Sequence, residues 1–308
     1  MLLNGFTDVT GDGRADAVVV NADTVTVRVS SGGPGSGFLP NADWTHGPYY
    51  GGVDSGVHFA DVNGDHRADA IVVNADTVTV RPSDGVQFLG NQDWTHGAYY
   101  GTRGTFFADV NGDGRADAIV VNADTVTVRP SDGTQFLGNQ DWTHGAYYGS
   151  QETVFADVTG DGRADAIVVN DNTVTVRPSD GTQFTANQDW THGAFFGTRG
   201  TYFADVTGDG RADAIVVNDN TVTVRPSDGT QFTANQDWTH GAFYGAIGTY
   251  FEDVNGDGRA DAIAVNADAV TVRPSNGGQF LGNEDWIPRD YWGSLNAFVG
   301  GERWDPYS

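Results

Sequence analysis

The sequence has no cysteine, no lysine and a single methionine. Without cysteine there are no disulfides and no thiolate metal centres, and the redox compartment stays open. Without lysine the cations are sixteen arginines, set against 41 acids, for a formal net charge of −25. Such a surface repels phosphate backbones and anionic lipid headgroups, which argues against nucleic acid and membrane as partners. No apolar run approaches the ~20 residues of a membrane-crossing helix. No segment shows helical periodicity, and the abundant Thr, Val, Gly and Asn are poor helix formers. The chain starts MLLNGF and enters a repeat at once, so no signal peptide is read in this numbering.

What the chain has in excess is glycine, 43 of 308 residues, about twice the usual share, and repetition. The string D-V-[NT]-G-D-x-R-A-D starts at Asp8, Asp61, Asp109, Asp157, Asp205 and Asp253. Trp44, Trp94, Trp142, Trp190, Trp238 and Trp286 keep the same clock. Six units therefore start near residues 1, 54, 102, 150, 198 and 246, with a tail over 287–308. Unit one carries an insertion, Gly32–Gly37.

Unit three reads as four short strands: Thr105–Asp109, Ala118–Asn122, Thr125–Arg129 and Thr134–Leu137. The second is apolar throughout, as expected of a strand covered on both faces. The third alternates, and Asp132-Gly133 signals a hairpin before the fourth. Four antiparallel strands per 48 residues describe a β-propeller blade. The expectation is a single all-β propeller of six blades, with seven as the alternative, because Asn296–Gly300 falls where another first strand would start. The tail is expected to add a strand, cap the ring or help close it.

The repeated acidic loop points to calcium. In unit three, Asp109, Asn111, Asp113 and Asp117 place oxygens at positions 1, 3, 5 and 9, and Arg115 at position 7 offers its carbonyl with its side chain pointing out. Calcium takes six to eight hard oxygens at flexible distances, which such a loop supplies. The equivalents are Asp8, Thr10, Asp12, Arg14 and Asp16 in unit one; Asp61, Asn63, Asp65, Arg67 and Asp69 in unit two; Asp157, Thr159, Asp161, Arg163 and Asp165 in unit four; Asp205, Thr207, Asp209, Arg211 and Asp213 in unit five; and Asp253, Asn255, Asp257, Arg259 and Asp261 in unit six. About six Ca2+ ions are expected. Position 12 is Val or Ala rather than the Glu of an EF-hand, and the loop runs into a strand. An apolar strand, this loop and then A-I-V-V resemble the FG-GAP/VCBS repeat family, over essentially the whole chain. The resemblance implies an integrin-type propeller with one calcium per loop, as in many secreted bacterial proteins, some of them lectin-like. His66 stands where the family has glycine.

The second recurring element is N-[QAE]-D-W-T-H-G-[AP]-[YF]-[YF]-G. As a sugar site, it would use Asp43, Trp44 and His46; Asp93, Trp94 and His96; Asp141, Trp142 and His144; Asp189, Trp190 and His192; and Asp237, Trp238 and His240. As packing, the same rings would wedge neighbouring blades together. In unit six Ile287 and Pro288 replace Thr and His, so at most five sites are expected. The loop and third-strand arginines read as partners for Asp or as cations on aromatic faces.

There is no G-x-S-x-G, no H-E-x-x-H and no cysteine nucleophile, and near-identical repeats favour equal binding sites over an asymmetric catalytic constellation. The expected function is a monomeric, extracellular, calcium-binding and non-catalytic module that binds glycans at several sites. A scaffold that binds protein is the alternative, and a polysaccharide-active enzyme the second alternative. Glu152, Glu252 and the tail acids Asp290, Glu302 and Asp305 are carboxylates outside the repeat and could hide an acid pair, but nothing in their spacing demands one.

Overall fold

A computed structural model describes residues 4–33, 37–45, 47–53, 56–287 and 296–299. It contains six blades of four antiparallel strands, each blade built from one contiguous stretch of chain, arranged as a β-propeller; the sheet of blade 2 gains a fifth, parallel strand from the tail. No helix occurs among the described residues.

Blade 3 shows the pattern, with a five-residue fourth strand where blades 1, 2, 4 and 5 have two residues. Its strands are Gly104–Ala108, Asp117–Val121, Thr125–Arg129 and Gln140–His144. Every residue of the second strand is buried, in this blade and in its five equivalents. The fourth strand lies further along than the sequence suggests. Residues 134–137 form a turn closed by one isolated bridge, Ser131 to Phe136, and the outer strand starts at Gln140. The turn consumes them: the carboxylate of Asp132 accepts the amides of Thr134 and Gln135, both at 2.9 Å.

The hydrophobic core lies between blades. Six clusters of buried residues each draw on two adjacent blades, and one of them joins blade 6 to blade 1 through Tyr250, Val254, Trp286, Phe6, Ala17 and Phe38. A lone blade could not bury both faces, so each borrows its neighbour's. The seams repeat the same bonds. The amides of Ala15, Ala68, Ala116, Ala164, Ala212 and Ala260 each donate, at 2.7 Å, to the carbonyl of the first loop Asp in the preceding blade. The hydroxyls of Ser30, Ser83, Ser131, Ser179, Ser227 and Ser275 donate to the carbonyl of the Val after that Asp. The ring closes from Ala15 to Asp253 and from Ser30 to Val254.

The tail makes no seventh blade in the described residues. Asn296–Val299 is a strand that pairs in parallel with the inner strand of blade 2, Gly56–Ala60, and lies beside Asn4–Thr7 of blade 1. The remaining tail residues, including Asp290, Glu302 and Asp305, lie outside the described residues, as does His46.

Candidate functional site

Each acidic loop is a tight knot of hydrogen bonds. In blade 1, the carboxylate of Asp8 accepts the amides of Thr10, Gly11 and Gly13, at 3.1, 2.6 and 2.8 Å. Asp16, the first residue of the second strand, is fully buried and accepts the amides of Val9 and Ser30, at 3.1 and 2.8 Å. It thereby ties the loop to the hairpin whose Ser30 hydroxyl reaches blade 6. Burial is the main cause that pushes the carboxyls of Asp16, Asp69, Asp117 and Asp261 up to about 7, and the neighbouring loop carboxylates push the same way. Asp165 and Asp213 rise to about 6 for the same leading reason.

The position-7 arginine does not point out. Arg14 pairs with Asp12 in its own loop and donates from Nε to the Ser30 carbonyl. Its aliphatic stem packs on Gly256 of the preceding loop, where a Cβ would stand 3.0 Å from Arg14 Cγ. Arg67, Arg115, Arg163, Arg211 and Arg259 repeat this arrangement. The second loop glycine needs a positive φ, met by Gly13 at 81° and Gly114 at 81°. His66 occupies that position in blade 2 at 64°.

The donor chemistry of the loops fits a hard cation: the candidate donors are all oxygens, and carboxyls held up chiefly by burial would ionise fully beside one. Among the described residues, no three acidic or imidazole groups converge on one point, and the loop arginine supplies the counter-charge at position 5.

The aromatic segment divides into wedge and surface. The six repeat tryptophans, Trp44, Trp94, Trp142, Trp190, Trp238 and Trp286, are buried, at 2–4% exposure. Trp44, Trp94, Trp142, Trp190 and Trp238 pack edge-on against Phe88, Phe136, Phe184, Phe232 and Phe280 of the next blade, with ring centroids 5.1–5.2 Å apart. This corrects the expectation of a tryptophan face open to a sugar: both faces are spent on the seam. The first aromatic is buried as well, and Tyr49, Tyr99 and Tyr147 donate their hydroxyls to two backbone carbonyls of the next blade. Exposed instead are His96, His144, His192 and His240, with Asp43, Asp93, Asp141, Asp189 and Asp237. Each of these Asp side chains accepts a hydrogen bond from a third-strand Thr, as Asp141 does from Thr127 at 2.8 Å. Tyr50, Tyr100 and Phe196, the second aromatics, are 40–44% exposed.

The third-strand arginines were legible only as a type. Arg81, Arg129, Arg177, Arg225 and Arg273 lie over the rings of Tyr49, Tyr99, Tyr147, Phe195 and Phe243 of the preceding blade, 4.3–4.6 Å from the centroids. Each donates from Nε to an Asn on its own fourth-strand approach, Asn91, Asn139, Asn187, Asn235 and Asn283. The missed signal was a constant ten-residue spacing between Arg and Asn in five units.

A cavity of about 400 Å³ opens among the inner strands of blades 2 to 5 and is lined by Ala60, Ala108, Phe107, Phe155, Asp61 and Asp109, among others. Both carboxylates are engaged by the amides of their own loops, so this wall offers no poised acid and base.

An FG-GAP-like repeat matches five times in tandem, over residues 8–72, 61–120, 109–168, 157–216 and 205–264. The chain belongs to the FG-GAP-like repeat family. No curated protein matches it. Among solved structures, a lectin of Agrocybe aegerita that recognises non-reducing terminal N-acetylglucosamine is similar, with a TM-score of 0.63 and 22% identity over 93% of this chain and 80% of that one. A component of the Photorhabdus luminescens Tc holotoxin pore matches with a TM-score of 0.63 and 17% identity, over 96% of this chain but 14% of that one. A chain of the nidogen/laminin complex matches at 0.51 and 10% identity, over 92% and 97%. At these identities the likeness concerns the fold.

Proposed function

We propose that this FG-GAP propeller is a calcium-binding, non-catalytic module that binds glycans at several equivalent seam sites. The observation that carries the reading is repetition of exposed polar chemistry. At four described seams an exposed Asp and His flank a buried Trp at the blade's outer edge, with a second aromatic four residues beyond the His. Equal weak sites on one rigid ring give avidity without any strong single contact. The Agrocybe lectin supports the reading, being a propeller of similar fold that recognises a sugar. Calcium, when bound, neutralises clustered carboxylates. Asp8, Thr10, Asp12, Asp16 and the Arg14 carbonyl would hold it in blade 1, and their equivalents in the others. Millimolar extracellular calcium fills even weak loops, so the proposed location is outside the cell.

The test is a glycan array probed with calcium and again with chelator. Calcium-dependent binding to a defined set of sugars supports the proposal, and an empty array with calcium present overturns it. A second reading, a positioning module inside a longer protein, is favoured by the match to a small part of the Tc toxin chain. An empty array with a well-folded ring would leave that reading in front.

A further inference from the structure

In a chain with 41 acids, five of the third-strand arginines form no ion pair among the described residues. Arg81, Arg129, Arg177, Arg225 and Arg273 have no carboxylate partner among the described residues. The six loop arginines and Arg199 do. The five are held in place from two sides. One face of each guanidinium is held on a ring from the preceding blade, and its Nε is fixed by an Asn oxygen, at 2.5 Å for Arg129 and Asn139. Partial burial lowers the pKa of Arg225 and Arg273, with no carboxylate to offset it.

Leaving such a group unpaired is unusual, because a half-desolvated cation gains from a nearby carboxylate and this surface has many. The arrangement instead leaves the terminal guanidinium nitrogens and the Asn amide nitrogen as donors with no acceptor among the described residues. The fork needs both blades: one contributes Arg and Asn, the other the ring that fixes the plane. Leu89, Leu137 and Leu281 stand exposed two residues before Asn91, Asn139 and Asn283, an apolar edge beside the donors.

We infer that these five arginine–asparagine forks are the specificity-determining contacts of the glycan sites, and that they take a neutral sugar presenting paired oxygen acceptors, such as adjacent hydroxyls or an acylamido carbonyl. The inference rests on the glycan reading and deepens it. A planar, immobilised fork suits paired oxygens, and its donors are already oriented before the ligand arrives. A neutral ligand is chosen over a uronate because a surface of formal charge −25 repels polyanions over the whole approach.

Titration calorimetry with an N-acetylglucosamine oligosaccharide, an oligogalacturonate and a plain glucose oligomer tests this. Lysine keeps the charge and the ring contact but not the fork. Arg129→Lys should therefore remove about one fifth of the wild-type stoichiometry with an unchanged melting temperature, and lysine at all five positions should weaken binding by at least about tenfold. Asn139→Ala should reproduce the single-site loss by freeing the guanidinium. Wild-type binding that survives five lysines with unchanged stoichiometry and affinity overturns the inference while sparing the glycan reading. Tighter binding of the oligogalacturonate overturns the choice of a neutral ligand. No binding of any glycan by the wild type overturns both.

Discussion

The Ser131 hydroxyl donates to the Val62 carbonyl at 2.6 Å, across the seam between blades 2 and 3, with both residues buried. Six copies of this bond encircle the propeller. Ser131→Ala leaves the Val62 carbonyl without its donor in a dry seam, which should destabilise the fold by about 1–3 kcal/mol. Urea unfolding monitored by tryptophan fluorescence measures this, since the six repeat tryptophans sit in seams. An unchanged midpoint would show the bond to be dispensable.

His66 is the one described non-glycine residue with a positive φ, at 64°. The glycines at its position in the other five loops have open space where a Cβ would stand, so the cost in blade 2 is backbone strain and not collision. His66→Gly should stabilise the protein by up to about 1 kcal/mol. A thermal melt that moves down on this change would refute the strain argument.

Tyr99 spans a seam in two ways, through its hydroxyl bonds to Ala118 and Thr127 and through Arg129 stacked on its ring. Phe195 and Phe243 fill the same place in blades 4 and 5 and keep the stack without the hydroxyl. Tyr99→Phe should therefore cost about 1 kcal/mol. Tyr99→Ala, which empties the wedge, should cost about 3–5 kcal/mol. Equal losses for the two variants would mean that the hydroxyl, and not the ring, holds the seam.

The six buried loop carboxyls set the pH dependence. Their folded-state values are about 6 to 7 against an ordinary 3.8, so the folded protein holds protons that the unfolded chain has released. Their contribution to stability is full below pH 3.8 and is lost as pH rises through 6 to 7. Metal-free protein should thus melt at a higher temperature at pH 5 than at pH 7.5. Six calcium ions would bring +12 and move the formal charge from −25 to −13. Calcium at pH 7.5 should then raise the melting temperature by mass action, and chelator should reverse the rise. A melt insensitive to both calcium and chelator, with no metal found by elemental analysis, would remove calcium from the proposal.

The blade architecture was legible because period and strand alternation are local properties of the chain. The second strand, expected over Ala118–Asn122, runs one residue earlier, over Asp117–Val121, and Thr125–Arg129 is the third strand to the residue. The fourth strand was not legible: Thr134–Leu137 has strand-like residues, but the Asp132 carboxylate captures their amides into a turn. The double use of the aromatic segment was equally hidden. Trp142 and His144 are two residues apart on one edge strand, yet the ring enters a seam with Phe184 while the imidazole faces solvent. Only the neighbouring blade decides between those fates, and it begins beyond the segment that a local reading weighs. The tail was half legible: a strand was foreseen at Asn296, but its parallel partner, the inner strand of blade 2, lies some 240 residues earlier in the chain.

Blades 4 and 5 differ at three of 44 aligned positions, Phe196/Tyr244, Thr198/Ala246 and Arg199/Ile247, and their seams carry the same bonds. A surface that fits its neighbour in the ring must also fit the equivalent neighbour on another molecule. What keeps the assembly within one chain is proximity alone, since the intramolecular partner is present at far higher effective concentration. At high protein concentration during refolding that advantage shrinks, and the near-identical blades become interchangeable between copies. Slow, dilute refolding should return single closed rings, whereas concentrated refolding should trap interlinked ones with every seam correctly made.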